Sequence, residues 1–327
     1  MAVMTYLDAI RLGIRQEMER DENVFVLGED VGVKGGVFGV TKGLYEQFGE
    51  YRSLDTPLSE SAIAGVAICA AMYGMRPIAE MQYADFIFPA TNQIISEAAK
   101  IRYRSNNDWE CPVVIRAPIG GGVFGGLYHS QCQESVFFGT PGLKIVVPST
   151  PYDAKGLLAA AVRDPDPVLF FEHKKCYRMI TGEVPEEDYV VPIGKADVKR
   201  EGDDITVITY GLTVHFALEA AEELEKMGYS AHILDLRTIQ PLDREAILEA
   251  AARTGKVLII HEDNKTGGVG GEVAAIIAEE LLYDLDAPIM RMGGPDVPAM
   301  PISPPLEKFF MPSTEKVLEA MLKLAQY

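Results

Sequence analysis

The sequence lacks the features that define several broad classes of protein. It has only four cysteines in 327 residues, and none of them has the close spacing of a metal clip or a redox pair. No apolar run is long enough to span a bilayer, and the first residues do not have the pattern of a signal peptide. We therefore expect a cytoplasmic protein whose thiols are reduced and mostly buried.

Positive charge is also scarce in this chain. It has 30 Lys and Arg residues against 48 Asp and Glu residues, which gives a net charge of -18. Nucleic acids and anionic membranes are bound through positive surfaces, so we predict neither as a partner. Hydrophobic residues make up 48% of the chain and charged residues 24%, a balance typical of globular proteins.

No phosphate-binding motif is present. There is no Gly-x-x-x-x-Gly-Lys-Ser/Thr loop, and no Gly-Asp-Gly followed by an Asn. Residues 120–125 formally fit the dinucleotide pattern, but no convincing helix begins there and no strand ending in an acid follows about 20 residues later. We infer only that the backbone passes close to another group there. If a phosphorylated cofactor is used, another chain must hold its phosphate end.

Short apolar strands that alternate with helices run through most of the sequence. This alternation predicts an α/β fold with mainly parallel sheets and helices on both faces. A chain of 327 residues is too long for one ordinary core. A stretch rich in Pro, Glu, Gly and Lys separates two such series. We predict a first domain at 1–185, a linker at 186–203 and a second domain at 204–327.

Local patterns predict particular helices. Thr5 and Thr150 precede helix-favouring segments and are expected to cap them with their side chains. Pro151 suits the first position of the second of these helices. Residues 84–104 have a long, helix-favouring pattern, and we expect a helix there.

Glu60 is the best candidate acid of the chain. Pro57 ends an extended segment, and Thr56 or Ser59 can cap the helix that follows. Residues 62–73 are apolar on every side, so we expect that helix to be buried. Glu60 is then either a charge that favours a helix N-terminus, by about 0.3–1 kcal/mol, or an acid whose pKa is tuned for chemistry. The residues alone leave both interpretations open.

His129 is the best candidate histidine. It follows the glycine-rich loop and is flanked by the hydrogen-bonding residues Tyr128, Ser130 and Gln131. A histidine so placed can transfer protons, or it can be satisfied within the loop; the spacing favours neither. No pair of histidines has the spacing of metal ligands.

Several motifs stand in the order and spacing of one protein family. They are Leu27–Gly32, Asp55–Glu60, Ala79–Phe86, Tyr128–Gln131, Pro148–Gly156 and Asp235–Thr238. On these motifs the chain resembles the beta subunits of 2-oxo acid dehydrogenases, over nearly its whole length. Residues 85–106 resemble the branched-chain (2-oxoisovalerate) type more than the pyruvate type. The resemblance implies a thiamine diphosphate-binding, pyrimidine-type domain followed by a transketolase C-terminal-like domain.

The resemblance also implies the roles of individual residues. The residue matching Glu60 hydrogen-bonds the pyrimidine nitrogen of thiamine diphosphate and helps to form its ylid. Leu58, Gln82 and Phe86 are implied to line the pyrimidine end of the cofactor. His129 matches a histidine that steadies the substrate carboxylate or assists proton transfer during acyl transfer.

A structural potassium site is implied as well. Its residues are Val113, Ala161, Val162, Asp164 and Asp166, which would offer mainly carbonyl oxygens. Asp166 stands where relatives often have Asn, a departure from the family pattern.

The implied activity is the oxidative decarboxylation of 2-oxo acids, branched-chain ones above all, with reductive acylation of a lipoyl group on a transacylase partner. An alpha subunit is implied to hold the diphosphate and Mg²⁺ in an alpha2beta2 heterotetramer. Phe124 departs from the pattern, because branched-chain relatives often have a second histidine there. Either that histidine is dispensable or the substrate preference differs here. A pyruvate dehydrogenase beta subunit and a non-catalytic scaffolding subunit remain alternatives. A single-chain transketolase-like enzyme and a nicotinamide-dependent oxidoreductase are weaker ones.

Overall fold

The computed structural model describes residues 1–327, which divide into two compact units. The first unit consists of Met1–Ile119 and Phe137–Ile193, and the second of Gly120–Val136 and Gly194–Tyr327. The second unit therefore includes a segment whose flanking residues belong to the first. No helix in the chain combines the length and the apolar character needed to cross a membrane.

The first unit is an α/β unit built on parallel strands. Six of its strands lie side by side in the order β6-β7-β5-β4-β2-β3, and each neighbouring pair is parallel. β1 pairs with β8 in a separate antiparallel ribbon. The elements are β1 (Ala2–Thr5), α1 (Tyr6–Arg20), β2 (Val24–Gly28), α2 (Leu44–Phe48), β3 (Ser53–Asp55), α3 (Glu60–Met72), β4 (Arg76–Glu80), α4 (Ile101–Arg104), β5 (Val114–Ile119), α5 (Glu134–Phe137, which crosses the unit boundary), β6 (Lys144–Val146), α6 (Pro151–Arg163), β7 (Val168–His173), α7 (Cys176–Met179) and β8 (Thr181–Val184).

The second unit is also an α/β unit built on mainly parallel strands, with a smaller sheet. Its five strands lie in the order β14-β13-β10-β11-β9, and only β9 is antiparallel to its neighbour. Strand β9 lies within the stretch predicted as a linker. The elements are β9 (Asp197–Arg200), β10 (Ile205–Thr209), α8 (Thr213–Lys226), β11 (Ala231–Asp235), β12 (Thr238–Gln240), α9 (Arg244–Thr254), β13 (Val257–Asn264), α10 (Val269–Leu281), β14 (Met290–Gly294), α11 (Pro304–Phe310) and α12 (Thr314–Ala325).

The predicted helix caps at Thr5 and Thr150 are confirmed. The Thr5 hydroxyl accepts a hydrogen bond from the Asp8 N–H at the start of α1, and the Thr150 hydroxyl accepts one from the Asp153 N–H at the start of α6. Pro151 is the first residue of α6, where its missing N–H costs nothing. These caps need only local sequence, which is why the pattern predicts them.

The expectation that α3 is buried on every side is wrong. Ala62, Val66 and Cys69 are exposed on one face, and the Val66 side chain is 53% exposed. A helix lying on a sheet covers only one of its own faces, so the opposite face needs a further layer. Ser59 occupies the predicted N-cap position of α3, but its side chain forms no capping hydrogen bond.

The predicted helix over residues 84–104 is broken into short pieces. It comprises three 3-10 turns, a π-helical segment at Asn92–Glu97 and the short helix α4. Pro89 lies within it, and proline cannot donate the hydrogen bond that an α-helix interior requires. π-helical insertions of this kind often occur at functional sites.

Candidate active site

The carboxyl ends of β2, β3 and β4 meet at one edge of the first unit's sheet. Gly28 pairs with Asp55 on one side and with Glu80 on the other, so these three strands end level with one another. In parallel α/β sheets, ligands bind outside the carboxyl ends of the strands. The segments that follow these strands carry the predicted residues Leu58, Glu60, Gln82 and Phe86.

Glu60 begins α3 just past this edge. Its side chain is partly buried, and its backbone belongs to the first turn of a helix whose N–H groups favour a negative charge. Leu58 is 70% exposed beside it. The Thr56 hydroxyl oxygen is buried and has no hydrogen-bond partner. An acid, an apolar surface and a polar atom without a partner therefore occupy one short segment.

Gln82 and Phe86 follow β4 at the same edge. The Phe86 ring meets the Tyr83 ring edge-on, with centroids 5.6 Å apart. Tyr83 meets Phe38 at 5.4 Å, and Phe38 contacts Tyr177 at 5.3 Å. The Phe86 ring therefore packs at one end of a row of aromatic rings, and its contact with Tyr83 restricts its orientation. Phe86 and Gln82 are both partly buried.

A buried ion network is joined to the row of aromatic rings through Tyr177. Arg116 donates to Glu80 at 2.6 Å through Nη1 and to Glu172 at 2.6 and 2.7 Å through Nε and Nη2. The Tyr177 hydroxyl donates to Glu172 at 2.6 Å. Burial by itself would lower the pKa of Arg116, but the charges of Glu172 and Glu80 raise it above its usual range. The guanidinium therefore stays charged and holds the end of β4 in place.

Glu29 is an acid at this edge that the sequence analysis did not single out. Partial burial raises the pKa of its carboxyl, and the negative charges of Asp30 and Glu60 raise it further. Asp55 fixes the loop after Glu29, because its Oδ1 accepts the Gly32 N–H at 2.6 Å. A signal was available in the sequence, since Glu29 directly follows the apolar run Val24–Leu27 and the glycine that ends β2.

His129 belongs to the second unit. It follows a 3-10 turn at Gly126–Tyr128, and its side chain is partly buried. A Cβ atom at Gly125 would lie 2.8 Å from His129 Cβ and 2.8 Å from Ser130 Oγ. Glycine is therefore required there, which confirms that the backbone of this loop passes close to other groups.

The oxygens predicted to hold potassium already have donors within the first unit. The Val162 carbonyl accepts from Arg76 Nη1 at 2.8 Å. The Asp164 carboxylate accepts from Lys144 Nζ at 2.7 Å, and Asp166 from Arg102 Nε at 2.5 Å.

The carbonyls of Val113 and Ala161 accept backbone N–H groups. Because side-chain cations already neutralise this corner, the arrangement fits a potassium ion poorly, and the ion stays a prediction.

Known proteins and family models match this chain along nearly its whole length. Residues 2–179 match the family model described as "Transketolase, pyrimidine binding domain", and residues 194–317 match "Transketolase, C-terminal domain". The chain is 72% identical over 327 residues to a 2-oxoisovalerate dehydrogenase subunit beta of Bacillus subtilis (strain 168), covering all of both chains. It is 46% identical, again over all of both chains, to a pyruvate dehydrogenase E1 component subunit beta of the same organism.

A solved structure has the same fold. It is titled "Split gene transketolase, inactive beta4 tetramer" and superposes with a TM-score of 0.79 at 23% identity, covering 99% of this chain and 98% of the other. The predicted fold class of two mainly parallel α/β domains is confirmed. The chain belongs to the thiamine diphosphate-dependent, transketolase-like family. Within it, the chain belongs to the beta subunits of 2-oxo acid dehydrogenases.

Proposed function

We propose that this chain is the beta subunit of a 2-oxoisovalerate dehydrogenase, which decarboxylates branched-chain 2-oxo acids oxidatively and acylates a lipoyl group. The 72% identity over the full length to a subunit of that name, against 46% to a pyruvate dehydrogenase subunit, is the observation that carries the proposal. The site supports it, because a partly buried acid and an apolar surface lie together at the carboxyl edge of the first sheet.

The first unit offers groups that fit the pyrimidine end of thiamine diphosphate. Glu60 can share a proton with a ring nitrogen, and the exposed Leu58 side chain offers an apolar surface. The Thr56 hydroxyl oxygen has no partner within the chain. We propose Gln82 and Phe86 as further contacts. The cofactor, when bound, supplies the nucleophilic carbon and the electron sink that decarboxylation needs.

Glu60 acts as the acid that sets the protonation of the pyrimidine ring. Glu29 lies beside it, and burial, followed by the charges of Asp30 and Glu60, raises the pKa of the Glu29 carboxyl. His129 is proposed to hold the substrate carboxylate or to move a proton during acyl transfer. Each of these roles requires the side chain to reach the cofactor or the substrate.

The chain is proposed to work with partners. No motif here holds a diphosphate, so an alpha subunit is proposed to bind it with Mg²⁺ in an alpha2beta2 heterotetramer. The acyl group is then passed to a lipoyl-bearing transacylase core. A structural potassium ion at Val113, Ala161, Val162, Asp164 and Asp166 is also proposed, in competition with the side-chain cations already there.

The decisive experiment reconstitutes this chain with its candidate alpha partner, thiamine diphosphate and Mg²⁺. Decarboxylation of 3-methyl-2-oxobutanoate is compared with that of pyruvate, using an artificial electron acceptor. We expect a clear preference for the branched acid and no turnover by this chain alone. A preference for pyruvate would keep the family and overturn the substrate, and turnover by the pure chain would overturn the need for a partner.

Glu60→Gln in the same complex tests the proposed acid. The amide keeps the shape of the side chain but cannot donate or accept the proton, so we expect decarboxylation to fall about 10²–10⁴-fold. Glu319→Gln, on an exposed face of α12, is the matched control and is expected to leave the rate unchanged. An unchanged rate in Glu60→Gln would favour a non-catalytic scaffolding subunit instead.

A further inference from the structure

Two acids at the end of one strand hold both ends of the segment that carries His129. The Gly121 N–H donates to Glu262 Oε1 at 2.6 Å, and the Ser135 N–H donates to Asp263 Oδ2 at 3.1 Å. Glu262 and Asp263 are consecutive residues of β13 and are both buried. The end of a rigid strand therefore fixes where this segment begins and ends.

A third acid fixes the turn between these ends. Glu307 on α11 is only 2% exposed, and its Oε1 accepts the N–H groups of Gly122 at 2.9 Å and Phe124 at 3.1 Å. Phe124 has a φ of 57°, in the left-handed region that residues with a side chain rarely adopt. Its side chain is 55% exposed, so packing of the ring does not explain this backbone conformation. The hydrogen bonds to the carboxylate of Glu307 account for this backbone conformation instead.

The hydrogen bonds from the loop to Glu307 are of a strong type. A turn whose N–H groups converge makes a concave site for an acceptor, and here the N–H groups of Gly122 and Phe124, two residues apart, converge on the chain's own carboxylate. Hydrogen bonds to an ionised acceptor are roughly twice as strong as neutral ones. The second oxygen of Glu307 is buried and has no partner. Its burial is therefore offset only by the two N–H groups of the loop.

The polypeptide around Glu307 also forms the surface on which the loop lies. A Cβ atom at Gly121 would come within 2.6 Å of Met300 Cε and 2.8 Å of Met311 Sδ. A Cβ atom at Gly126 would lie 3.1 Å from Ile302 Cβ. The loop backbone thus lies directly against the segment 300–311, which includes Glu307.

We propose that Glu307 is a positioning residue that sets the direction of the Phe124 and His129 side chains, with Glu262 and Asp263 as the anchors of their loop. The inference rests on the proposed function, in which His129 takes part in acyl transfer. Glu307 itself touches no reacting atom. By drawing two N–H groups to one oxygen, it selects one conformation of the chain from which both side chains project.

A double-mutant cycle in the reconstituted complex tests the proposal. Glu307→Ala is expected to lower kcat for transfer to the lipoyl acceptor about 10- to 100-fold, as misplacement of a catalytic group by about 1 Å does. Glu307→Gln should lose less, because an amide oxygen still accepts both N–H groups without the charge. Combined with His129→Ala, the Glu307→Ala change is expected to cause no further loss. Glu222→Gln, an exposed acid on α8, is the control.

Two results would overturn the proposal. One is an unchanged kcat in both Glu307 variants. The other is the same fold loss in the wild-type and His129→Ala backgrounds, because a merely structural residue acts regardless of His129. If Glu307→Ala does not fold, the cycle with Glu307→Gln decides between these outcomes.

Amide hydrogen exchange provides a readout that does not depend on activity. In Glu307→Ala we expect faster exchange at Gly122 and Phe124, with β10 and β13 unchanged. Equal exchange in the variant and the wild type would overturn the positioning role even in an active enzyme. If the wild-type complex decarboxylates no 2-oxo acid, the proposed function fails, while hydrogen exchange still decides whether Glu307 holds the loop.

Discussion

Buried acids are stabilised in two different ways in the two units. In the first unit, Glu80 and Glu172 share one buried guanidinium, that of Arg116. In the second unit, every hydrogen bond accepted by the side chains of Asp263 and Glu307 comes from a backbone N–H group. In the first unit, the side-chain charges of residues on neighbouring strands neutralise one another. In the second unit, acids on a strand and a helix hold the backbone of an irregular loop through its N–H groups.

The difference indicates what each set of acids does. A buried ion network fixes the strand ends from which Gln82 and Phe86 follow, and the loss of its cation would leave two acids without compensation. Removal of the acids that bind backbone N–H groups is expected to release only a loop and to leave the strands intact. Changes in the first set should therefore affect stability, and changes in the second set should affect activity.

Removing the shared cation should have the largest effect on stability. Arg116→Met leaves Glu80 and Glu172 buried and uncompensated, and breaking such a network costs about 3–5 kcal/mol. Urea unfolding of the purified chain, followed by circular dichroism, measures this loss as a fall in the free energy of unfolding.

Arg253→Met provides the matched control for that change. Arg253 also pairs with two acids, Glu201 and Asp203, both at 2.9 Å, but its side chain is 40% exposed. Surface pairs contribute about 0–1 kcal/mol. Equal losses in the two variants would contradict the distinction between buried and surface networks.

Glu134 gives an effect of intermediate size that depends on pH. It is fully buried and accepts from the Tyr210 hydroxyl at 3.0 Å, and burial followed by the charge of Asp263 raises its pKa well above the usual range. A carboxyl whose folded pKa is raised favours folding while protonated. Its contribution is fully present below the unfolded pKa, about 4.3, and is lost as pH rises through the folded value.

Glu134→Gln keeps the shape and stays neutral at every pH. Between the unfolded and folded pKa values of Glu134, the free energy of unfolding of the wild type should fall relative to the variant by about 1.4 kcal/mol per pH unit. Chemical unfolding of both proteins at a series of pH values measures this difference in the free energy of unfolding. A constant difference between variant and wild type across pH 5–8 would show that Glu134 is ionised throughout.

The smallest effect concerns the corner predicted to bind potassium. Because Lys144 and Arg102 already neutralise Asp164 and Asp166, exchanging KCl for NaCl at constant ionic strength should leave the melting temperature nearly unchanged. Lys144→Met removes one of these cations and should make the melting temperature sensitive to potassium. A marked KCl-specific stabilisation of the wild type would contradict the first expectation and support the ion.

Sequence reasoning succeeded where the signal was local or where motifs recur in a known family. The caps at Thr5 and Thr150, the parallel α/β class and the family itself were all predicted. It failed for α3, because the number of layers that cover a helix is not a local property. It failed for residues 84–104, because the helix-favouring pattern was followed across Pro89, which an α-helix interior does not accommodate. It also missed Glu29, because the burial that raises the pKa of this carboxyl, and the approach of Glu60 that raises it further, arise only in the fold.

The sequence by itself determined the alternation of strands and helices, the caps at Thr5 and Thr150 and the residues that mark the family, because periodicity, capping and motif spacing are properties of neighbours along the chain. Only the tertiary structure decided which acids meet. Glu29 and Glu60 come close enough to interact because the strands that precede them, β2 and β3, pair in parallel register, and Glu307 binds the turn at Phe124 across 183 positions of sequence. Such pairings depend on how elements come together in space, which no local pattern encodes.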